Sequence, residues 1–199
     1  MSRDGAVDGG ARAARFDALY RGDIDPWGFR TSGYERDKYA ATLGALPRAR
    51  YRRALEVGCS IGELTRRLGT RADAVLGLDV STVAITEARR AHGDVPGLSF
   101  DVAELPRQWP AGTFDLVVLS EVLYFLEPDE VDALAARAVG ALEPGGHCAS
   151  VCWTGQNDST LDGDAAAERF VAGALATGAA AVLASRREPL YRLDLIERR

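Results

Sequence analysis

Two glycines four residues apart follow a short apolar run, and an acid stands two residues before the first of them. In the stretch LEVGCSIGELT, residues 55–65, these are Gly58, Gly62 and Glu56. Glycine tolerates a positive φ and has no Cβ, so a ligand can lie against bare backbone at the tip of a strand. The same turn could serve helix–strand packing alone, and by itself it is a weak indication of a ligand site.

Two further acids stand at the ends of later apolar runs. Asp79 comes 21 residues after Gly58, and Asp101 follows in the next run. In doubly wound folds, an acid at the end of the second strand accepts hydrogen bonds from a ribose diol. Asp79 could instead cap the next helix, although Ser81 is available for that purpose. Because the carboxyl ends of parallel strands meet at one edge of a sheet, these acids predict a ligand site there.

The composition of the turn indicates which ligand this edge would take. A nicotinamide dinucleotide site uses G-x-G-x-x-G so that a helix N-terminus faces the pyrophosphate, whereas this turn reads G-C-S-I-G. Glu56, inside the first strand, is costly to bury unless a cation or a hydrogen-bond donor meets it, and an arginine could be that partner. An acidic edge repels phosphate and suits an adenosine with a positively charged end. S-adenosylmethionine fits that description.

An α/β scaffold is needed to position these residues. Short apolar runs bounded by Gly, Asp or Pro alternate with helically spaced stretches, which is typical of βα units on a parallel sheet. The runs predict strands at residues 53–58, 74–80, 98–102, 114–122 and 147–153. Helices are predicted between them and at 163–178, and the remaining segment predicts two strands joined around residues 187–189. We therefore expect a doubly wound, mostly parallel sheet of seven strands with a C-terminal antiparallel hairpin.

Length and composition limit the class of protein. The 199 residues fit one domain, and we expect a disordered tail at residues 1–15 followed by a single domain at 16–199. The net charge of −5 argues against a nucleic-acid partner, and no apolar run approaches the roughly 20 residues of a membrane span. Cys148 and Cys152 would lie about 13 Å apart on one strand, too far for a disulfide. We expect a cytoplasmic protein with no metal site.

The ordered motifs resemble those of the class I S-adenosylmethionine-dependent methyltransferases. The matching stretches are ALEVGCSIGELT, VLGLDVS, DVAELP, FDLVVLSEVLYFL and LEPGGH. Together with DPWGFRTSGYERDKY and WPAGTFDLVVLSEVLYFL, they are similar to the nodulation protein S family over about residues 25–199. The resemblance implies a Rossmann-like methyltransferase fold and S-adenosylmethionine as the cofactor. The best-known members of that family methylate the free amine of a deacetylated chitooligosaccharide.

The resemblance also implies roles for the residues around the methionine part of the cofactor. The residues lining this part would be Glu56, Gly58, Cys59, Ser60 and Gly62. An aromatic loop would close over the cofactor carboxylate, and its residues would be Trp27, Arg30 and Tyr34.

Other matching residues are assigned to the nucleoside and to the acceptor. Asp79 would hold the ribose and Val80 would lie against the adenine. At the adenine edge the resemblance places Asp101 and Val102. The residues that border both the sulfonium and the acceptor would be Ser120, Glu121 and Tyr124.

One position departs from the family pattern, and it leaves the acceptor open. The family pattern GDxxHE reads GDAAAE here, so Ala167 stands where a histidine would be the attractive general base. Glu121 is then the better candidate for base or acceptor anchor, with pairing to an arginine or helix capping as its alternative. Tyr124 would position the acceptor or pack. The hypotheses are N-methylation of an amino sugar or related amine, O-methylation of a secondary metabolite, and a non-catalytic cofactor-binding or scaffold protein.

Overall fold

A single sheet organises the protein, whose computed structural model describes residues 9–156 and 159–199. Its strands are β1 (Tyr51–Val57), β2 (Ala72–Asp79), β3 (Leu98–Val102), β4 (Phe114–Ser120), β5 (Leu142–Trp153), β6 (Ala180–Arg187) and β7 (Tyr191–Arg198). Their spatial order is β3-β2-β1-β4-β5-β7-β6. The first five strands pair in parallel, while β7 is antiparallel to β5 and to β6. The predicted seven-stranded α/β architecture with its C-terminal hairpin is confirmed.

Helices cover both faces of this sheet. They are α1 (Gly9–Gly22), α2 (Gly33–Ala45), α3 (Glu63–Leu68), α4 (Thr82–His92), α5 (Pro128–Ala141) and α6 (Gly163–Ala176). Alternate residues of β4 enter different cores: Val117 packs in the cluster that contains α5 and α6, whereas Val118 packs in the cluster that contains α2 and α3. Burial on both faces explains why the strands are continuous apolar runs without alternation.

The helix termini use short polar side chains. Ser81 caps α4 as predicted, since its hydroxyl accepts a hydrogen bond from the backbone N–H of Ala84. Asp162 caps α6 by accepting from the backbone N–H of Ala165 at 2.7 Å. Each cap satisfies a backbone donor that the helix itself leaves without a partner.

Helix α1 begins at residue 9, inside the segment 1–15 that the sequence predicts as a disordered tail. Its Ala- and Arg-rich sequence favours a helix, but its apolar residues lack the periodicity that would have announced one. Tertiary contacts stabilise the helix instead: Arg12 pairs with Glu130 of α5, and Asp17 accepts hydrogen bonds from the hydroxyls of Ser81 and Thr82. Residues 1–8 of the predicted tail lie outside the described residues.

Two further features concern the thiols and the membrane. Cys59, Cys148 and Cys152 are all free and buried, so the predicted absence of a bridge between the last two is confirmed. In the described part of the chain, no helix combines the length and the apolar character needed to cross a bilayer.

Candidate active site

A cavity of about 480 Å³ opens at the carboxyl ends of the central strands. It lies where the strand order reverses between β1 and β4, the place where open α/β sheets bind ligands. The predicted residues at the strand ends that line it are Gly58, Ser60, Asp79, Val80, Ser120 and Glu121. The predicted aromatic residues that line it are Trp27, Tyr34 and Tyr124.

The glycine turn after β1 contributes to this cavity through one glycine only. Gly58 has φ +75° and lines the cavity. Gly62 has φ +85° and lies outside it, where a Cβ would come within 2.9 Å of the Phe100 ring. Cys59, between them, is also outside the cavity, and burial raises the pKa of its thiol. Gly62 is therefore required by backbone conformation and packing, and the bare backbone offered to a ligand is at Gly58.

Glu56 is buried beneath the turn and meets a hydrogen-bond donor, one of the two conditions expected for it. Its carboxyl group accepts a hydrogen bond from the hydroxyl of Thr65 at 2.5 Å, and the side chain borders a second cavity of about 20 Å³. Burial raises the pKa of Glu56 to about 8. The group is therefore largely protonated at neutral pH, so its burial does not require a cationic partner.

Asp79 ends β2 and fixes the geometry of the glycine turn. One carboxylate oxygen accepts from the backbone N–H of Ser60 and the other from that of Ser81, both at 2.9 Å. Burial raises the pKa of Asp79 even though these hydrogen bonds lower it. The hydroxyl of Ser60 accepts a hydrogen bond from Tyr20 of α1 at 2.5 Å. A carboxylate offers about four lone-pair sites, so Asp79 keeps acceptor capacity for a ligand hydroxyl.

Glu121 follows β4 and holds a second polar cluster. One carboxylate oxygen accepts from the Tyr124 hydroxyl and from the backbone N–H of Trp153, both at 2.8 Å. The other accepts from the ammonium of Lys38 at 2.7 Å, and Lys38 also donates to Glu35 at 2.9 Å. Glu121 has φ +60°, a conformation that non-glycine residues seldom adopt outside functional sites. We call Glu35, Lys38, Glu121 and Tyr124 the acceptor-side network, because the sequence resemblance assigns Glu121 and Tyr124 to the acceptor.

The charges of the acceptor-side network are unequal. Burial lowers the pKa of Lys38, but its two carboxylate partners raise that pKa by more than burial lowers it. The ammonium therefore stays charged. Burial raises the pKa of Glu35, and burial likewise raises the pKa of Tyr124, which therefore remains a neutral donor. Two carboxyl groups therefore share one ammonium at the wall of the cavity.

Sequence reasoning missed two members of this network and the contribution of α1. Lys38 is the only lysine in a chain with 24 basic residues, and that singularity was a signal. It fits the site because an ammonium is a compact charge with three donors, whereas a guanidinium is a broad planar fork. Helix α1 adds Arg12, Arg15, Phe16 and Tyr20 to the cavity wall, and its sequence offered no comparable signal.

Three predicted cofactor residues are placed elsewhere. Arg30 pairs with Glu87 at 2.5 Å and lies 3.6 Å from Glu63, so it anchors the aromatic loop to α3 and α4. Asp101 pairs with Arg89 and its side chain is 66% exposed. Val102 is 44% exposed at the end of the edge strand β3. None of the three lines the cavity, because nearby charged partners or the edge position hold them outside it.

Ala167 stands where the family pattern has a histidine, and the structure places it away from the cavity. Ala167 is 1% exposed and packs in the core between the sheet and α6. It does not line the cavity, so this alanine supplies packing and leaves any proton transfer to other residues.

The residues of the cavity fit an S-adenosyl ligand. Asp79 has free lone pairs for a ribose diol, and eight aromatic side chains line a space that is large enough for a nucleoside. Fold and site together place the chain among the class I S-adenosylmethionine-dependent methyltransferases. The family model described as nodulation protein S (NodS) matches residues 17–148. The chain belongs to the NodS family.

Curated relatives are similar over part of their length. Nodulation protein S of Rhizobium tropici is 32% identical over 125 residues, which cover 62% of this chain and 52% of the relative. Nodulation protein S of Bradyrhizobium diazoefficiens is 34% identical over 122 residues, covering 60% and 58%. Phosphoethanolamine N-methyltransferase 1 of Arabidopsis thaliana is 28% identical over 121 residues, covering 59% and 25%. The chain thus spans less than two thirds of the length of these relatives.

Solved structures agree with the fold. A protein from Pseudomonas syringae described as a methyltransferase has a TM-score of 0.70 and 38% identity, with 84% of this chain and all of that chain covered. The N-methyltransferase NodS from Bradyrhizobium japonicum WM9, in complex with S-adenosyl-L-homocysteine, has a TM-score of 0.77 and 22% identity, with 92% and 97% covered.

Proposed function

We propose that this protein transfers the methyl group of S-adenosylmethionine to the nitrogen of a small-molecule amine, with amino sugars as the first class to test. The observation that carries the proposal is the acceptor-side network itself, in which the carboxyl groups of Glu35 and Glu121 share the single ammonium of Lys38 at the cavity wall. Such a wall attracts an ammonium group and disfavours a carboxylate acceptor.

The cofactor would be held by the strand-end residues. Asp79 would bind the ribose and Val80 would contact the adenine, since both line the cavity. Gly58 and Ser60 would meet the methionine part, with Glu56, Cys59 and Gly62 supporting the turn from outside the cavity. Trp27 and Tyr34 would cover it. When bound, S-adenosylmethionine supplies an electrophilic methyl group whose carbon–sulfur electron pair leaves with the sulfur.

The protein's own part in the reaction is mainly positioning. A neutral amine already has its lone pair, so holding it near the methyl group in the correct alignment supplies much of the rate. Tyr124 and Glu121 are fixed to each other at the acceptor side and would orient the acceptor there. A hydroxyl acceptor needs a base more strictly, because an alcohol is a poor nucleophile before its proton leaves.

Two of the similar proteins favour nitrogen as the acceptor atom. The NodS protein of Bradyrhizobium japonicum WM9 and the Arabidopsis thaliana relative are both named N-methyltransferases.

The three buried free cysteines suit the reducing cytoplasm in which we propose that the protein works.

Two measurements test the proposal. Calorimetric titration should show binding of S-adenosylhomocysteine, and its absence would favour a scaffold. A panel of glucosamine, deacetylated chitooligosaccharide and hydroxyl compounds should then be incubated with S-adenosylmethionine labelled in the methyl group. We expect label on nitrogen, and label found on oxygen alone would reject amine methylation.

A further inference from the structure

We propose that Glu35 binds the ammonium group of the acceptor and takes its proton before methyl transfer. This inference rests on the proposed function and deepens it by naming the residue that recognises the amine. It differs from the expectation drawn from the sequence, in which Glu121 was the candidate base.

The geometry of Glu35 leaves one carboxylate oxygen without a hydrogen-bond partner. The residue lies in the first turn of α2, lines the cavity, and has a side chain that is only 9% exposed. Its Oε1 accepts a hydrogen bond from Lys38 at 2.9 Å, whereas its Oε2 is buried and has no hydrogen-bond partner. A buried carboxylate oxygen without a partner is costly to desolvate, so a donor from a ligand would relieve that cost.

Glu121 is less suited to this task because both of its carboxylate oxygens already accept hydrogen bonds. Its Oε1 accepts from Lys38, and its Oε2 accepts from both Tyr124 and the backbone N–H of Trp153. A proton placed on Oε2 would have to displace one of these donors. Glu121 is therefore the anchor that holds Lys38 and Tyr124, and the unsatisfied acceptor of the network is Glu35.

The proton transfer balances within the site. One N–H bond of the acceptor ammonium breaks, its electron pair stays on nitrogen as the nucleophilic lone pair, and the proton forms an O–H bond at Oε2 of Glu35. Burial raises the pKa of Glu35, which makes it a stronger base than an exposed carboxylate.

The charged and titratable groups around Glu35 set the direction of its pH dependence. They are Lys38, Glu121, Asp25, Tyr34, Tyr39 and Tyr124. Only ionised Glu35 attracts an ammonium, so affinity for an amine should fall as the pH decreases through the pKa of Glu35. A glutamine at this position keeps the shape and one acceptor but removes that pH-dependent step.

Binding of glucosamine to the protein saturated with S-adenosylhomocysteine tests the inference without relying on turnover. Calorimetry at pH 8 would compare the wild type with Glu35→Gln, Glu35→Asp and the control Glu168→Gln, whose carboxylate is 72% exposed on α6. We expect Glu35→Gln to weaken glucosamine binding about tenfold or more, because a hydrogen bond to a charged group is lost. Glu35→Asp should recover part of the affinity, and Glu168→Gln should match the wild type.

The neutral analogue N-acetylglucosamine distinguishes charge recognition from a structural defect. Equal glucosamine affinity in the wild type and Glu35→Gln would overturn the inference, as would an equal loss for the neutral sugar. If wild-type protein does not bind S-adenosylhomocysteine, the proposed function fails, and this inference fails with it. If it binds the nucleoside and methylates amines while Glu35→Gln does both equally well, only the role of Glu35 is refuted.

Discussion

The two ends of the cavity hold their carboxylates by different means. We call the end at Asp79 the cofactor end and the end at Glu121 the acceptor end, after their proposed roles. At the cofactor end, Asp79 accepts from the backbone N–H groups of Ser60 and Ser81. At the acceptor end, Glu121 accepts from one backbone N–H and from the side chains of Lys38 and Tyr124. The first arrangement depends on strand register and turn geometry, whereas the second depends on which side chains neighbouring elements present.

This difference indicates which end of the cavity can be altered by substitutions while the fold is kept. A backbone-held carboxylate stays in place as long as the sheet and the turn fold, which suits a cofactor shared by many enzymes. A network held by side chains can be rebuilt by a few substitutions, which suits an acceptor that differs between enzymes. The predictions below test whether the two ends respond separately.

Replacing the buried cation should have the largest effect. Lys38→Met leaves the carboxylates of Glu35 and Glu121 facing each other without compensation, and we expect a loss of about 3–5 kcal/mol in the free energy of unfolding. Methyl transfer should be abolished. Lys38→Arg should keep more stability but little activity, because a planar fork does not fit the place of an ammonium. Denaturant titration and the labelled-methyl assay measure both quantities.

The control for that prediction is an exposed ion pair. Arg50 pairs with Asp73 at the surface, where both side chains are more than half exposed. Arg50→Met should change the free energy of unfolding by less than about 1 kcal/mol. A similar loss in Arg50→Met and Lys38→Met would show that the acceptor-side network has no special energetic role.

At the cofactor end, Glu56 should make the free energy of unfolding depend on pH. The folded-state pKa of about 8 lies above the value of 4.5 for a free glutamate, so the folded state binds more protons between these values. Stability contributed by protonated Glu56 is thus fully present below pH 4.5 and is lost as the pH rises through about 8. Glu56→Gln removes this dependence.

Urea denaturation at pH 5.5 and at pH 7.5 measures the effect. Relative to the wild type, Glu56→Gln should gain up to about 2.7 kcal/mol in the free energy of unfolding over that interval, at about 1.4 kcal/mol per pH unit. The surface variant Glu168→Gln serves as the matched control. A difference between Glu56→Gln and the wild type that does not change with pH would mean that Glu56 is ionised in the folded protein.

Asp79 and Glu121 provide the direct comparison between the two ends. In Asp79→Asn an amide N–H₂ replaces an oxygen that accepts a backbone N–H, and we expect S-adenosylhomocysteine to bind about 10- to 100-fold more weakly. Glu121→Gln should leave that affinity within about threefold of the wild type while lowering turnover about tenfold or more. If Glu121→Gln weakens nucleoside binding as much as Asp79→Asn does, the two ends are not separate.

The cofactor end could be predicted from the sequence because its determinants are local. Apolar runs define parallel strands, Gly58 follows the first of them, and Asp79 ends the second. The assignments of Arg30 and Asp101 to the cofactor stay predictions: both residues occupy the expected places in the chain, but each has a charged partner outside the cavity. Nothing local in the sequence indicates which of many arginines and carboxylates will pair.

The acceptor end was only half predictable. Glu121 and Tyr124 lie three residues apart after β4 and were identified together, but Lys38 is 83 residues away from Glu121 along the chain. Helix α2 carries its buried residues Glu35, Lys38 and Thr42 on one face, which reads as an ordinary amphipathic pattern interrupted by charges. Recognising those charges as buried required the packing of α2 over the cavity, and that packing is a property of the tertiary structure.

Two tyrosines at opposite ends of the cavity give the prediction with the smallest and most selective expected effect. Tyr20 of α1 donates to Ser60, and Tyr124 donates to Glu121. Each Tyr→Phe change removes one hydroxyl and nothing else, so we expect about 0.5–1.5 kcal/mol in each case. For Tyr20→Phe this loss should appear as weaker binding of S-adenosylhomocysteine. For Tyr124→Phe it should appear in kcat/KM for the amine, with nucleoside affinity unchanged.

The pair is informative because each variant is the control for the other. Both tyrosines are buried and burial raises the pKa of both, so neither ionises in the working range and a pH effect cannot mimic the result. If Tyr20→Phe lowers kcat/KM for the amine without affecting the nucleoside, α1 belongs to the acceptor end. In that case α1 would act on the acceptor, and Ser60 would have to be counted with the acceptor end.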